Sequence, residues 1–599
     1  MGAPTRARYL RRKNALQLWL LIPAFTVVIS ALAALWVGEY LATGRSINPG
    51  QVLLDLIKGT STFDQPRFMG AGLVVAALIV LGLFILWVRA KLSKPAWVDV
   101  AAQHMASYKE LSSLSEKAAH AHGVRLGVQQ GVKKQVGLAL GALVSSGRQL
   151  YGTFEDVGLI FAGPRTGKSS SYSIPLILDA PGAVVATENK RGVCDHTRAA
   201  RAAVGRVFVF DPQSVVGEPP TWWWNPLSTV TNGTEANALA EHFASGSRAP
   251  EAGPPDAFFH PRAITLLKAF FLAAATGGYT LLDVQRWLAE SDKRESQPWM
   301  VLRDSRYREV FNELAGLLSA EPGEKSGVFS TAQTMTACLA DQAIAQWVNP
   351  DPDFTGTDQR EHFNPDLFIQ GANTLYSLSR ETSGSAAPLV TALTVAVCDA
   401  GQRLARTSPQ GRLAVPLIVV LDEAANVCRW KDLPKLYSHF GSQGILLVTI
   451  LQSYPQGVGV WGELGMDALL SAANWTIYAG GNKPGKLLTT LVDSIGNYYY
   501  TTPGTPASKG SPRGRAQEHE AKIFDAAELQ ALPKGRAILL SSGNRAALLR
   551  TVPWMKGPHK EAVEASVKLH DPQAEQTLEN TRRELQAQHK DPDRVGVPV

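Results

Sequence analysis

Cysteine is scarce in this chain of 599 residues, and its placement is the first constraint. Cys194, Cys338, Cys398 and Cys428 lie far apart and form no CxxC pair or His–Cys cluster. That excludes a disulfide framework and a zinc site of the usual spacing, and predicts buried reduced thiols in a cytosolic body. Charge of one sign is also lacking. Charged residues make up 19% of the chain, and a net charge of +7 at a pI near 9.1 is a mild basic surplus with no run of Lys and Arg behind it. Such a balance permits polyanion binding without demanding it. Internal repeats are absent too, so the chain is a globular one, long enough for roughly two to four domains around at least one large core.

Long apolar runs are present only near the amino end. ALQLWLLIPAFTVVISALAALWV, residues 15 to 37, holds no charge in 23 residues. As a helix it would be about 34 Å long, against a hydrocarbon core of about 30 Å. It exceeds a signal-peptide core, and no small-residue cleavage site follows it cleanly. A second uncharged run, FMGAGLVVAALIVLGLFILWV, spans 68 to 88. Arg6, Arg8, Arg11, Arg12 and Lys13 precede the first run, and Arg89, Lys91 and Lys94 follow the second. Between them Glu39, Asp55 and Asp64 balance Arg45, Lys58 and Arg67. The expectation is a two-pass anchor in the cell membrane over residues 1–94, with both termini and the body in the cytoplasm.

Residues 95–150 are Ala-rich, with a capping-box pattern at Ser113 and Glu116, and read as a helical linker. From 151 the character changes. VGLIF (157–161), AVVAT (183–187) and VFVF (207–210) are short strand-like runs separated by helical stretches, which indicates an α/β domain with a parallel sheet. Strand-like runs vanish over 230–355, where AITLLKAFFLAAA, TLLDVQRWLAE, RYREVFNELAGLLSA and TAQTMTACLADQAIAQWV repeat apolar residues at three- and four-residue spacing. They return at NTLYSL, VPLIVVL, ILLVTIL, WTIYAG and RAILLSS. One core, 151–229 plus 356–555, is therefore split by an all-helical insertion. The segment 501–520 reads as a flexible Pro-, Gly- and Ser-rich loop, and 556–599 as a charged tail with one helix near 573–589.

AGPRTGKSS, residues 162 to 170, lies between a strand-like and a helix-like run. Gly163, Pro164, Arg165, Thr166, Gly167, Lys168, Ser169 and Ser170 are the expected phosphate cradle for ATP. Glycines there let backbone N–H groups approach the phosphates, Lys168 supplies a mobile charge, and the Ser169 hydroxyl completes a Mg²⁺ shell. LIVVLDEAANV adds the carboxylates such a site needs: Asp422 to hold Mg²⁺, Glu423 to orient or deprotonate water. Gln452, at the end of ILLVTILQ, is placed to touch a γ-phosphate or water, so that Lys168, Glu423 and Gln452 form the expected catalytic set. A guanine reader of the N-K-x-D type is lacking, since Asn189-Lys190-Arg191-Gly192 has no Asp.

Two apolar spans, a phosphate loop, a helical insertion before the DE strand, and a Gln at the end of the next strand together resemble the type IV secretion coupling proteins, the VirD4/TraG/TraD family. VFVFDP, WNPL, LDEAANV, LQSYPQ and LPKGRAILLSSGNR agree with it, and the resemblance runs from residue 1 to about 555. It implies a RecA/FtsK-like P-loop core, assembled as a membrane-bound homo-hexamer, that links a relaxase-bound DNA strand to a type IV secretion channel and drives conjugative transfer by ATP hydrolysis. DNA would be gripped through phosphates without sequence readout, as single strands by expectation. The chain departs from the family in three places: Arg165 replaces a frequent Gly, ENKRG replaces a D-x-K-G-E pattern, and Gly441-Ser442-Gln443 stands where an arginine for the neighbour's nucleotide is common. Arg380, Arg429 and Arg545 are the alternatives for that arginine. Two other functions remain open, a translocase of the FtsK/SpoIIIE type and a receptor for protein substrates that uses nucleotide only to switch conformation.

Overall fold

The computed structural model describes residues 96–590 except 129–135, 250–252, 254, 291–295, 351–357, 381–385 and 503–516, together with Trp36, Tyr40 and Gly44. Apart from Trp36, the two expected membrane spans lie outside the described residues, among which no helix is long and apolar enough to cross a membrane.

The strands are β1 (Leu138–Leu143), β2 (Gln149–Gly152), β3 (Gly158–Phe161), β4 (Val184–Glu188), β5 (Val207–Phe210), β6 (Trp222–Trp223), β7 (Glu361–His362), β8 (Thr374–Leu378), β9 (Leu417–Leu421), β10 (Ile445–Leu451), β11 (Trp475–Tyr478), β12 (Asn497–Thr502), β13 (Gln517–Lys522), β14 (Arg536–Ser541) and β15 (Ala547–Arg550). Eleven of them form one sheet in the order β2-β1-β15-β14-β11-β3-β10-β9-β4-β8-β5. From β11 to β5 every pairing is parallel. The pairings from β11 through β14, β15 and β1 to β2 are antiparallel. The expected α/β class with a parallel sheet is therefore observed.

The central strands β3, β4, β8, β9, β10 and β11 are buried at every position because both faces of the sheet are covered, and most of those positions are apolar. Phe161, Val185, Val419, Leu421 and Leu447 pack toward one core, while their neighbours Ile160, Val184, Val420, Leu446 and Val448 pack toward the other. The first core includes Phe243, Phe270, Phe271 and Trp287 from the helical stretch. There, Gly233–Gly246, Phe259–Gly277, Leu281–Ala289, Gln297–Arg303, Arg308–Leu318 and Pro322–Met335 succeed one another as helices. Local chemistry fixes their ends: Asn232 accepts from the Thr234 and Glu235 amides, Thr280 and Asp283 form a capping box, and Gly278 closes Phe259–Gly277 in the left-handed conformation at φ 73°. All four cysteines are free and buried.

Three stretches differ from expectation. Residues 95–150 are helical only in their first half, where Glu116–Arg125 is capped by Ser115, not Ser113. The second half forms β1 and β2, because the apolar LALGAL is completed by a distant partner, β15, and tertiary pairing overrides its weak strand propensity. Of the expected flexible loop 501–520, residues 503–516 lie outside the described residues, while Thr501 and Thr502 end β12 and residues 517–520 open β13, which pairs with it. Beyond 556 the chain forms two helices, Lys560–His570 and Ala574–Lys590. Val563 and Val567, four residues apart, bury the first against Gly192–Ala202, so it is part of the core.

Candidate nucleotide site

β3, β10 and β9 are parallel neighbours in register, with Leu451 beside Phe161 and Thr449 beside Leu421. The segments that leave their carboxyl ends are the loop from Ala162, Gln452 and the Asp422-Glu423 pair. A parallel sheet collects on one edge what the sequence spreads over nearly three hundred residues.

The loop is fixed by close backbone contact. Gly163 donates its N–H to the Gly480 carbonyl at 3.0 Å, and a Cβ at Gly163 would stand 2.4 Å from the Gly481 carbonyl oxygen, so only glycine fits. Arg165 adopts φ 62°, a left-handed conformation that accounts for glycine being frequent at this position in the resembling family. Ser169–Ser173 then makes a wide turn leading into the helix Ile174–Leu178.

Lys168 is the hub. Its ammonium contacts Asp422 Oδ1 at 2.9 Å and Glu423 Oε1 more closely still. Burial alone would lower its pKa, but the two carboxylates outweigh burial and move it upward. Glu423 adopts φ 55° and ψ 40°, which turns the chain after β9 and costs on the order of 1 to 3 kcal/mol. Gln452 Nε2 donates to both Glu423 oxygens, at 2.6 and 2.7 Å. The Gln452 carbonyl in turn accepts from Asn482 Nδ2 at 2.6 Å. Asn482 follows the two glycines that hold Gly163, so the contacts close a ring: loop, Lys168, Glu423, Gln452, Asn482 and back to the loop.

The predicted metal ligands are also together. Asp422 Oδ2 accepts from Ser173 Oγ at 2.9 Å and lies 3.5 Å from Ser169 Oγ. Asp422 Oδ1 is buried and, beyond the ion pair with Lys168, accepts no hydrogen bond. A buried carboxylate oxygen with spare capacity next to a hydroxyl is a hard oxygen set that fits Mg²⁺ held mostly by water and phosphate. No cluster of three His, Cys, Asp or Glu side chains suited to a metal occurs among the described residues.

Sequence reasoning missed Glu188, Ser173 and Asn482. Glu188 ends β4 and is buried, accepting from the Val193 amide at 2.9 Å. Burial first, and then the Asp422 charge, push its carboxyl well above the usual glutamate range. Its one signal was ENKRG, at the end of a strand that proves to be the neighbour of β9. Of the three arginine candidates, Arg429 is buried and donates to the Ala425, Gly246 and Arg248 carbonyls, so it ties the DE turn to the helix Gly233–Gly246 and is not presented to a neighbour. Arg545 is held by Glu110 and the His104 carbonyl. Arg380 is exposed just past β8, on the edge that carries the site, with one guanidinium nitrogen on the Ser214 carbonyl.

Residues 416–534, which include Asp422, Glu423, Gln452 and Asn482, match the family described as the TraM recognition site of TraD and TraG. A probable conjugal transfer protein TraG of Sinorhizobium fredii is 23% identical over 414 residues, which are 65% of this chain. The match spans 60% of that relative's length. Among solved structures, the bacterial conjugative coupling protein TrwBdeltaN70 matches with a TM-score of 0.49 and 15% identity over 72% of this chain and 92% of its own. TrwB in complex with the non-hydrolysable ATP analogue ADPNP matches with a TM-score of 0.47 and 17% identity over 67% and 86%. The resemblance to the type IV secretion coupling proteins that the sequence carries is thus borne out by the TraD/TraG segment and by the TraG relative.

Proposed function

We propose that this chain is a membrane-anchored ATPase that couples a relaxase–DNA substrate to a type IV secretion channel and drives conjugative transfer. The observation that carries the reading is the closed ring of contacts from the phosphate loop through Lys168, Glu423, Gln452 and Asn482. Such a ring must open when a polyphosphate claims Lys168, which links occupancy of the loop to the position of Glu423.

In this reading Gly163 to Ser170 hold ATP, and Ser169 and Asp422 hold Mg²⁺. The metal, when bound, neutralises phosphate charge. Glu423, released from Lys168, accepts a proton from the attacking water, and Gln452 orients that water. Arg380 is the arginine offered to a neighbouring subunit's nucleotide in a homo-hexamer. Residues 1–94 anchor the body by two spans, 151–229 with 356–555 form the motor core, and 230–355 face the substrate. Arg429 supports a mechanical link between core and insertion, since it joins the turn after Glu423 to the end of Gly233–Gly246.

The test is steady-state ATP hydrolysis by the full chain in detergent, with and without single- and double-stranded DNA, beside Lys168→Ala. Stimulation by DNA that fades with added salt supports the motor. Hydrolysis indifferent to DNA would move the assignment to the receptor for protein substrates, a reading favoured by the TraM recognition named for the family that matches 416–534.

A further inference from the structure

A second lysine lies over the phosphate loop. Lys534 sits between the helix Ala526–Gln530 and β14, in a loop packed on the turn that holds Gly163: the Leu532 carbonyl oxygen lies 3.2 Å from where a Cβ on Gly480 would stand. Gly167 has φ 92°, and the Lys534 ε-carbon is 3.6 Å from its Cβ position. The ammonium pairs with Glu584 Oε2 at 2.8 Å. Glu584 belongs to the helix Ala574–Lys590, and that ion pair ties the helix to the loop's lysine.

The surroundings favour an anion. The short helix Trp554–Lys556 packs against the turn Ser169–Ser173. Arg536, Arg550 and Lys556 are close enough to act on one another electrostatically, and Asp99 accepts from Arg536. The Lys534 side chain is 16% exposed and Glu584 is 57% exposed, so the lysine is the fixed partner and the carboxylate the one that can leave.

We propose that Lys534 is a further phosphate-binding residue of the nucleotide site and that Glu584 competes with the nucleotide for it, so that filling the site loosens the carboxy-terminal helix. This rests on the nucleotide reading above. A pair whose carboxylate stands mostly in water is weak, so the competition is modest and reversible.

Calorimetric titration of the full chain with ATP, alongside hydrogen exchange of residues 574–586, tests it. Lys534→Ala should weaken ATP binding about tenfold, and Lys534→Arg should restore most of it. Glu584→Gln, on the surface and harmless to folding, should tighten ATP about twofold to fivefold and have no effect once Lys534 is alanine. ATP should raise exchange in the helix of the wild type. If the wild type binds ATP and Lys168→Ala does not, yet neither Lys534→Ala nor Glu584→Gln changes affinity, the second lysine is refuted while the nucleotide site stands. If the wild type binds no ATP, both fall.

Discussion

The carboxyl edge of the sheet and the helical stretch 233–335 are built on opposite principles. The edge gathers buried Asp422, Glu423 and Glu188 around one lysine, with non-glycine residues in left-handed conformation at Arg165 and Glu423. The helical stretch contains no such residue among those described; Asn232 and Thr280 cap two of its helices, and its interior is filled with Phe243, Phe270, Phe271 and Trp287. Order at the edge comes from opposed charges that cost stability to bring together, whereas order in the helices comes from burial of apolar surface. The first arrangement can be rearranged by a ligand, and the second resists it.

Substitution should separate the two. Lys168→Ala is expected to lower ATP hydrolysis by about a thousandfold or more, while circular dichroism and the melting of the helices stay close to wild type. Phe270→Ala does the reverse: it empties a fully buried site, and denaturant titration should show a loss of about 3 to 5 kcal/mol, with the intrinsic chemistry of the folded fraction kept. A collapse of both properties in either variant would show that the regions are one cooperative unit.

Acidity offers a finer separation. His242, buried in the helix Gly233–Gly246, has its pKa pulled from 6.5 to about 4 by burial, with Asp432 opposing. The unfolded chain binds the proton first, so stability should fall as pH drops from about 6.5 to about 4, by up to about 3 kcal/mol. His242→Gln should flatten that slope in urea titrations at pH 7 and 4.5. Glu188 has the opposite sign: its folded pKa is raised, the native state keeps a proton that the unfolded chain gives up, and stability falls as pH climbs above the ordinary glutamate value of 4.5. In EDTA, Glu188→Gln should gain stability over wild type at pH 8 and none at pH 4, the smallest of these effects.

The difference in legibility follows the same division. Phosphate loop, DE pair and strand-end Gln are local demands, so AGPRTGKSS, LDEAANV and LQS announce them. Glu188, Asn482 and Lys534 act only because β4 lies beside β9, and because the turns after β11 and before β14 crowd the loop; no spacing along the chain encodes that. Strands rich in β-branched residues, such as LIVVL and ILLVTIL, were readable alone. LALGAL and ALLR were not, since each is completed by partners on both sides, β2 and β15 for the first and β14 and β1 for the second. The helix Lys560–His570 was hidden by its charge, although Val563 and Val567 mark its buried face.

That pairing of β1 with β15 has a consequence for biosynthesis. The hairpin of β1 and β2 leaves the ribosome some four hundred residues before the strand that joins it to the sheet. Until then its free edge is an open template for other chains. The nascent body must therefore be kept apart from its copies for most of translation, and a chain cut before β15 would present an unpaired strand edge in place of a finished domain.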